Sequence, residues 1–422
     1  MNFYYLRRDK MNHLSNKVTK QNLLGAFIQL HRKNENLSLS FTADIVKISK
    51  AYLSDIEKGK RIPQEYTLSQ ILKVLGVSLN RDESIALFLE DKLHELYKNY
   101  AYLNEAQESR IYEEDIFTDS NYEFSLGFLQ FYLIKLMKEI RFSHNNEQAE
   151  ICKKIITDNF ELISQDDKNI FYDLCALEEI SRANYNRALS YLNQGLKNPT
   201  SLTEAMINYH LCIVHQELNK LSSALIYCQK AYILFNKDFS FHRMLYTLIH
   251  EGNCYSRLHD YEIAENKYLK VLDNCSYDSS GDLQKTAYNN LSWNALKAKK
   301  YEDCIEYTKK AITLGSIFPD IYIYLPLCYY CLNEFILCKK ETENNIIHFS
   351  KNSFHYWLLN AILCLLEKKW MDGVYNLDIC LSMNLEYEMQ ILILQLICNI
   401  LRQLKNYRLL AEYQDTLLNI II

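Results

Sequence analysis

Glycine and proline are scarce in this chain of 422 residues, which has nine glycines and four prolines. An all-β domain needs frequent tight turns and a phosphate-binding loop needs several glycines, so the shortage argues against both. The apolar fraction of 49% and the charged fraction of 23% are those of a globular protein. We therefore expect long helices that enclose a sizeable core, in two or more domains.

Long hydrophobic runs are also missing. The C-terminal run ILILQLICNI is broken by Gln395 and Asn399, and it is shorter than the roughly 18 apolar residues of a membrane-spanning helix. The first ten residues carry charges without a following apolar block, unlike a signal peptide. Thirteen cysteines are scattered through apolar segments without regular spacing, as expected for small buried residues in a reducing compartment. We predict a cytoplasmic protein with no membrane partner.

Patterns of catalytic and metal-binding residues are absent from the sequence. It contains no HExxH motif, no Walker loop and no nucleophile elbow. Cys328 and Cys331 form a CxxC pair, but they stand at helical spacing in an apolar run without a second pair of ligands, so we interpret them as buried residues. We predict no catalytic residue, no metal site and no cofactor, and hence a protein that is not an enzyme.

Charge is distributed unevenly along the chain. Residues 1–80 contain 13 lysines and arginines against 6 acidic residues, a net charge of +7. Because the whole chain has a net charge of −5, the remainder carries −12. Clustered cations favour nucleic acid, since neutralising its phosphates releases counterions. The asymmetry indicates a head that faces DNA and an acidic body, with chance variation of surface charge as the alternative.

Residues 20–80, the head, show the spacing of four short helices. Thr19 is a candidate N-cap for the first helix, which ends in the polar stretch HRKNEN. A short second helix follows. Ser49 can cap the third helix, which Gly59 ends, and the fourth helix ends at Gly76. Short turns between such helices predict a compact all-α unit.

The head resembles the Cro/C1, or XRE-type, helix-turn-helix family. The residues that carry this resemblance are Gly25, Ile28, Arg32, Ala43, the segment SKAYLSDIEKGKRIP from Ser49, and the segment LSQILKVLGV. The resemblance implies that the third helix lies in the major groove of DNA. It assigns contacts with the bases or the DNA backbone to Ser49, Lys50, Tyr52 and Ser54. It assigns contacts with phosphates to Lys58, Lys60 and Arg61. Lys60 and Arg61 could instead be solvated loop charges.

The same resemblance assigns structural roles to other residues of the head. Arg32 and Glu57 are expected to form an internal ion pair that locks the first helix to the recognition helix, so neither is counted as a DNA contact. Leu53 and Ile56 are expected in the core.

Two positions depart from the family pattern. Leu39 stands where a glutamine usually helps to hold the DNA backbone, and Lys47 stands where a glycine usually forms the turn. Ser38 and Ser40 could supply hydroxyl donors in place of the glutamine. A lysine in the turn is tolerable if its backbone avoids the left-handed region or accepts a modest cost.

A helical-repeat pattern follows the head. Aligning small residues at the start of amphipathic helices gives anchors spaced by 34 to 40 residues, which are Ala149, Ala188, Ala224, Ala264, Cys304, Cys338, Gly373 and finally Leu410. One pair of helices at this period is typical of tetratricopeptide-type repeats. Gly252, followed by Tyr255, gives one unit the small and aromatic residues with which such helices pack together.

These patterns divide the chain into four segments and define its fold class. The segments are an N-terminal arm that can be disordered (1–19), the helix-turn-helix domain (20–80), a linker helix region (81–122) and a repeat domain for ligand sensing and dimerisation (123–422). We predict an all-α fold in which a helix-turn-helix domain precedes a right-handed, tetratricopeptide-like superhelical solenoid.

The first helices of such repeats line a concave groove that suits extended peptides or partner helices. Counting back from the anchors, the side chains predicted to face this groove and bind a peptide are Tyr209, Gln216, Asn253, Arg257, Asn289, Trp293 and Lys297. Asparagine amides can both donate to and accept from a peptide backbone. Arg257 and Lys297 could meet a carboxylate. A register error of one residue would turn each side chain to another face.

A helix-turn-helix head followed by tetratricopeptide-like repeats resembles the RRNPP group of peptide-responsive transcriptional regulators. The resemblance covers nearly the whole chain in architecture, and its sequence motifs lie in the head. It implies a homodimer that binds double-stranded operator DNA, and a short signalling peptide of the quorum-sensing type that shifts the balance of DNA-competent and incompetent forms. Two alternatives stay open: the repeats dock a protein partner, or they modulate a phosphotransfer protein.

Overall fold

The computed structural model of the protein describes most of the chain: residues 20–103, 105–113, 115–117, 119–237, 240–275 and 281–421. Helices make up nearly all of these residues, and the one β-type contact among them is an isolated parallel bridge between Asn80 and Ser125. The predicted all-α class is therefore confirmed. The predicted N-terminal arm and the Thr19 cap lie outside the described residues.

The head has the four predicted helices: α1 (Lys20–Asn34), α2 (Leu39–Val46), α3 (Lys50–Glu57) and α4 (Glu65–Leu75). Ser49 caps α3, because its Oγ accepts a hydrogen bond from the Tyr52 amide at 3.1 Å. Gly59 and Gly76 adopt left-handed backbone conformations just beyond α3 and α4, as the sequence predicts. The buried side chains that join the helices are Ile28, Ala43, Leu53, Ile56, Leu68, Ile71 and Leu75.

A linker region follows, with helices α5 (Glu83–Ala101), α6 (Glu105–Glu113) and α7 (Ser120–Glu123) and a 3₁₀ turn at Asp115–Phe117. Asp82 caps α5 by accepting a hydrogen bond from the Ser84 amide at 2.9 Å. These short helices overlap the acidic stretch SRIYEEDIFTDSNYE at residues 109–123 of the sequence.

Eight pairs of helices form the repeats. Their bounds are α8 (Phe128–Lys138, continued by a π-helical turn at Glu139–Ser143) and α9 (Asn146–Asp158), α10 (Gln165–Ser181) and α11 (Tyr185–Gly195), α12 (Ser201–Glu217) and α13 (Leu221–Lys237), α14 (Phe241–Arg257) and α15 (Tyr261–Asn274), α16 (Asp282–Lys297) and α17 (Tyr301–Thr313), α18 (Ile321–Cys331) and α19 (Phe335–Ile346), α20 (Phe354–Leu366) and α21 (Trp370–Leu381), and α22 (Tyr387–Gln403) and α23 (Tyr407–Ile421). A 3₁₀ turn at Phe160–Leu162 precedes α10. Every predicted anchor lies on the second helix of its pair and is buried.

The turn inside each pair repeats with the same period as the anchors. Five residues before every anchor, a residue other than glycine adopts a left-handed backbone with φ between 50° and 65°; these residues are His144, Ala183, Asn219, His259, Lys299, Asn333, Lys368 and Lys405. In the turn at Lys299, the Lys300 amide donates to the Ala295 carbonyl at 2.9 Å, which closes the end of α16 as a left-handed helix cap. A left-handed turn residue therefore recurs along the chain with the same spacing as the anchors.

The interpretation of the cysteines needs two corrections. The sequence predicts separate buried cysteines, but Cys212 of α12 and Cys228 of α13 are paired as a disulfide, with their Cα atoms 5.3 Å apart. The other eleven cysteines form no disulfide within the described part of the chain. In the CxxC pair, Cys328 is buried as predicted, whereas Cys331 is exposed at the end of α18.

The chain divides into two compact units between Thr247 and Leu248, inside helix α14. The second unit has a continuous core that extends from Ala295 to Leu410. Among the described residues, no helix is both long and apolar enough to cross a membrane. The predicted limits of the four segments stay predictions.

We expect Lys299→Gly to stabilise the second unit. Lys299 is exposed and has φ of 60°, and a Cβ in this conformation costs about 1 kcal/mol that glycine avoids. The free energy of unfolding, measured by urea denaturation and circular dichroism, should rise by about that amount. Lys299→Ala, which keeps the Cβ, should show no gain, and equal effects of the two changes would contradict the explanation.

Candidate DNA-binding and ligand-binding sites

Helix α3 presents one polar face and one buried face. Ser49 and Lys50 are exposed at its N-terminus, and Tyr52 and Ser54 are partly exposed further along. Leu53, on the other face, is fully buried in the core of the head. Tyr52 also packs against that core, so its ring has a structural role besides the predicted DNA contact. The N-terminus of a recognition helix is the part that reaches base edges in the major groove.

The predicted ion pair between α1 and α3 is confirmed. The Nε of Arg32 donates to Oε1 of Glu57 at 2.6 Å, and its Nη2 donates to Oε2 at 2.9 Å. A third donor, Nη1, binds the Leu37 carbonyl at 2.7 Å. The hydrogen bond to Glu57 raises the pKa of Arg32. The guanidinium therefore binds α3 through both carboxylate oxygens and also holds the chain entering α2.

Gly25 allows the backbones of α1 and α3 to come together. A Cβ at this position would overlap the carbonyl oxygen of Ile56 and lie 2.7 Å from that of Glu57. No larger residue fits without moving α3, which explains why a glycine stands in the middle of a helix, where it otherwise weakens the helix. The ion pair and the glycine together determine how α3 is presented.

The two departures from the family pattern have structural explanations. Lys47 adopts φ of 58° and ψ of 45°, so the lysine accepts the left-handed conformation and its modest cost. Ser38 caps α2, since its Oγ accepts a hydrogen bond from the Phe41 amide at 3.1 Å. This contact leaves the hydroxyl proton of Ser38 as a donor, and Ser40 is exposed beside it. Both serines can still supply the donors that Leu39 lacks.

The predicted phosphate-binding residues lie just after α3. Lys58, Lys60 and Arg61 are all exposed. The Nε of Arg61 lies 3.6 Å from Oδ2 of Asp55, and its guanidinium carbon lies 5.8 Å from the centre of the Tyr52 ring. Arg61 is therefore held beside the recognition helix, which argues against a loosely solvated loop charge. All seven predicted DNA contacts lie on α3, its cap and this turn.

We expect Glu57→Ala to destabilise the head strongly. The change leaves the largely buried Arg32 without its carboxylate, and loss of one partner of a buried ion pair costs about 3 to 5 kcal/mol. Chemical denaturation of the whole chain would measure this loss. Asp55→Ala removes the more exposed pair with Arg61 and should cost less than about 1 kcal/mol. Similar losses for the two variants would contradict the role given to Glu57.

Five of the seven predicted peptide-binding residues lie on α14 and α16, within the second unit. Oδ1 of Asn253 accepts hydrogen bonds from the Tyr268 hydroxyl at 2.7 Å and from Nδ2 of Asn290 at 3.0 Å. Gly252 makes room for the Tyr268 ring, which a Cβ would overlap. The aromatic residue against Gly252 is Tyr268 and not the predicted Tyr255, which packs as a partly buried side chain against the cluster that contains Tyr268. The Asn253 oxygen is thus engaged within the protein.

Asn289 differs from Asn253. Its Oδ1 is buried and accepts no hydrogen bond within the described part of the chain. A buried amide oxygen without a donor costs about 1 to 3 kcal/mol. Asn289 is therefore a predicted peptide-binding residue whose side-chain oxygen could accept a hydrogen bond from a ligand.

Trp293 and Lys297 converge on one carboxylate, that of Glu388 on α22. The Lys297 ammonium donates to Oε1 at 2.6 Å and the Trp293 indole Nε1 donates to Oε2 at 3.2 Å. The ammonium also lies 3.4 Å from the Ser256 carbonyl. Burial lowers the pKa of Lys297, an effect that Glu388 opposes and the nearby charge of Arg257 adds to. Sequence reasoning missed Glu388, because the spacing within a repeat gives no indication of a contact 91 residues away.

The other two predicted peptide-binding residues lie in the first unit. Tyr209 is buried and packs edge-to-face on Phe235, and the Arg243 guanidinium lies over its ring at 5.0 Å. Gln216 is also buried. Arg243 further donates to the carbonyls of Tyr100 and Ala101 at the end of α5. Tyr209 therefore belongs to a packed polar core in this structure.

This core includes a buried hydrogen-bond network that the sequence did not reveal. Asp173 accepts from the Tyr97 hydroxyl at 2.9 Å, and its other oxygen lies 2.7 Å from Nδ1 of His210. Nε2 of His210 lies 3.0 Å from the Tyr100 hydroxyl. Burial raises the pKa of Tyr97 well above its ordinary value. The network connects the linker helix α5 to α10 and α12, so the linker is fastened to the repeats of the first unit.

Comparisons with known proteins follow the same division into head and repeats. Residues 28–81 match the family model described as helix-turn-helix, HTH_3. The transcriptional activator NprA of Geobacillus stearothermophilus is 23% identical over 299 residues, which cover 65% of this chain and 72% of that protein. The ImmF control region 10 kDa protein of Bacillus phage phi105 is 40% identical over 57 residues, which cover 14% of this chain and 63% of that protein.

Solved structures share the helical-repeat fold. The apo form of the quorum sensor NprR from B. thuringiensis superposes with a TM-score of 0.64 at 16% identity and covers 79% of this chain and 98% of its own. A Rap protein complexed with competence and sporulation factor has a TM-score of 0.59 at 15% identity, covering 79% and 97%. NprR in complex with its cognate peptide NprX has a TM-score of 0.55 at 16% identity, covering 79% and 99%.

The chain thus has an XRE-type helix-turn-helix domain followed by tetratricopeptide-like repeats. These findings support an RRNPP-type regulator, as the sequence predicts. The helix-turn-helix domain and the homologous transcriptional activator indicate a DNA-binding regulator rather than an enzyme.

Proposed function

We propose that this chain is a cytoplasmic, sequence-specific transcriptional regulator whose repeats bind a short signalling peptide that modulates DNA binding. The observation that carries the proposal is the presence, in one chain, of a recognition helix with an exposed polar N-terminus and exposed cations in the turn after it, and of a repeat unit with polar side chains at the predicted groove positions. The protein acts as a homodimer that places two recognition helices on a pseudo-palindromic operator.

The DNA-binding part of the proposal rests on α3 and the turn after it. Ser49, Lys50, Tyr52 and Ser54 read base edges or bind the backbone, while the cations Lys58, Lys60 and Arg61 bind phosphates. The support is that these side chains are exposed or partly exposed on α3, its cap and the following turn, and that α3 is locked to α1 by Arg32 and Glu57. Loss of one phosphate contact lowers the affinity for all DNA sequences to a similar extent. It also reduces the slope of the logarithm of the binding constant against the logarithm of salt concentration by about one.

We expect the pair of changes Lys50→Ala and Tyr52→Phe to abolish operator binding. Phenylalanine keeps the packing of the Tyr52 ring against the core while it removes the hydroxyl, so the head stays folded. The operator would be obtained by sequencing DNA crosslinked to the protein in its host, and binding would be measured by gel retardation. Lys73→Ala removes an exposed charge from α4 and should retain binding. Full retardation by the double variant would refute the assignment.

The peptide-binding part of the proposal rests on α14 and α16 of the second unit. Asn289 supplies an unused buried acceptor, Asn253 lies in a hydrogen-bonded amide pair, and Arg257 and Lys297 supply positive charge. Such groups recognise an extended backbone and an acidic group. Two repeat proteins of similar fold have been solved with the peptide NprX and with competence and sporulation factor. Tyr209 and Gln216 complete the predicted set in the first unit.

We expect Asn289→Ala to weaken peptide binding by about 1 to 3 kcal/mol, the cost of one lost polar contact. The ligand would be a peptide of about 5 to 10 residues selected from a synthetic pool, and calorimetry would measure its Kd. Asn345→Ala is a control, because that amide caps a carbonyl elsewhere in the unit, that of Tyr322, at 2.8 Å. Unchanged affinity in Asn289→Ala would show that the register of the groove is wrong.

The alternative is that the repeats dock a protein partner or modulate a phosphotransfer protein. The Rap-like fold is compatible with it. Specific calorimetric binding of a short peptide favours the main proposal, whereas co-purification of a stoichiometric protein partner without peptide binding favours the alternative.

A further inference from the structure

The contact between Glu388 and α16 is unusual for a stack of repeats. Each repeat normally touches only its neighbours in the stack. Trp293 and Lys297 belong to the fifth helical pair and Glu388 belongs to the eighth, so their contact spans two intervening pairs. Both α16 and α22 are first helices of their pairs, the helices that line the inner side of such a stack. The contact therefore crosses the inner side of the second unit and is separate from the packing between adjacent repeats.

The donors on α16 have the arrangement of a carboxylate receptor. Trp293 and Lys297 are four residues apart, so their side chains lie on one face of the helix. Each donates to a different oxygen of the same carboxylate. One donor is charged and the other is neutral, and the Trp293 ring is held by stacking on Tyr324 with centres 6.0 Å apart. A terminal carboxylate of a ligand has the same two oxygens and the same charge as Glu388.

The pair is also placed where a ligand can compete. The Lys297 side chain is 11% exposed, so its charge needs a partner, whereas the Glu388 side chain is 23% exposed at the first turn of α22. When a ligand carboxylate replaces Glu388 on this buried cation, the hydration that the ligand loses is offset by the hydration that Glu388 regains. Of the other predicted groove residues, Asn289 lies on α16 with Trp293 and Lys297, and Asn253 and Arg257 lie on α14.

We propose that Trp293 and Lys297 form the carboxylate subsite of the repeat groove, and that Glu388 fills it in the unliganded protein in place of a carboxylate of the ligand. This inference rests on the proposed peptide-binding function. A ligand must displace Glu388 before its own carboxylate can bind, so the internal pair lowers the apparent affinity. Displacement also releases α22 from α16, which couples occupancy of the groove to the C-terminal repeats.

Three pools of random heptapeptides distinguish the source of the carboxylate. The first has free C-termini and lacks aspartate and glutamate, the second lacks these residues and is amidated, and the third is amidated but contains them. Affinity selection on the full chain with mass-spectrometric readout should retain peptides of the first or third pool and reject the second. Equal retention of all three pools would overturn the proposal.

The variants test the competition directly. Glu388→Gln keeps an oxygen that can accept hydrogen bonds but loses the charge, so a selected peptide should bind about tenfold more tightly. Lys297→Gln should lose at least about tenfold in affinity. Glu306→Gln breaks an exposed pair with Lys310 elsewhere in the unit and should leave the Kd unchanged. Unfolding monitored by circular dichroism would verify that the variants retain the fold.

The outcomes separate this inference from the proposed function. Peptide binding that Glu388→Gln leaves unchanged overturns the subsite and leaves the peptide-binding function standing. If no pool binds either the wild type or the Glu388→Gln variant, the peptide-binding function is overturned together with the subsite.

Discussion

Close packing between the two helices of each pair is the constraint on which the repeats depend. The anchor is alanine, cysteine or glycine in every pair except the last, where it is Leu410, and every anchor is buried. Where the partner helix also approaches closely, the room comes from glycine: Gly252 admits the Tyr268 ring and Gly373 admits the Leu365 side chain. Interiors are packed so densely that one extra methyl group at such a contact is felt. The turn before each anchor accepts a left-handed residue for the same reason, since only a tight turn brings the helices together.

The head also depends on close packing of two helices, and an ion pair between them adds to it. Gly25 removes the side chain between α1 and α3, and Arg32 then reaches Glu57 with two hydrogen bonds. This arrangement explains how a recognition helix of eight residues is held firmly enough to present its polar face. Orientation matters because base contacts depend on side chains that reach the groove in a definite register.

Buried polar side chains distinguish the two units of the repeat region. In the first unit, Asp173 and His210 are hydrogen-bonded to each other and each to one tyrosine of the linker helix. In the second unit, Lys297 and Trp293 hold a glutamate from a distant repeat, and Asn289 has an acceptor without a donor. A satisfied network stabilises one arrangement, whereas an exchangeable anion and an unused acceptor are groups that a ligand can use. The second unit is therefore the better candidate for binding.

The sequence by itself determined the features that depend on neighbouring residues. Caps such as Ser49, helix ends such as Gly76 and the anchors of the repeats all follow from local spacing, because a helix has one period and a repeat has another. The pair of Arg32 and Glu57 also followed, through the resemblance of a contiguous motif to a known family. For the same reason the predicted DNA contacts, which lie on one helix and its turn, form a continuous surface.

Only the tertiary structure decided which distant side chains meet. The sequence predicted Lys297 in the groove but could not place Glu388 beside it, and it predicted Tyr209 in the groove without the Arg243 guanidinium that covers its ring. The disulfide between Cys212 and Cys228 was missed as well. Each repeat adds a small rotation to the stack, and the sum of these rotations determines whether α22 comes within reach of α16. A local sequence pattern gives no information about this accumulated rotation.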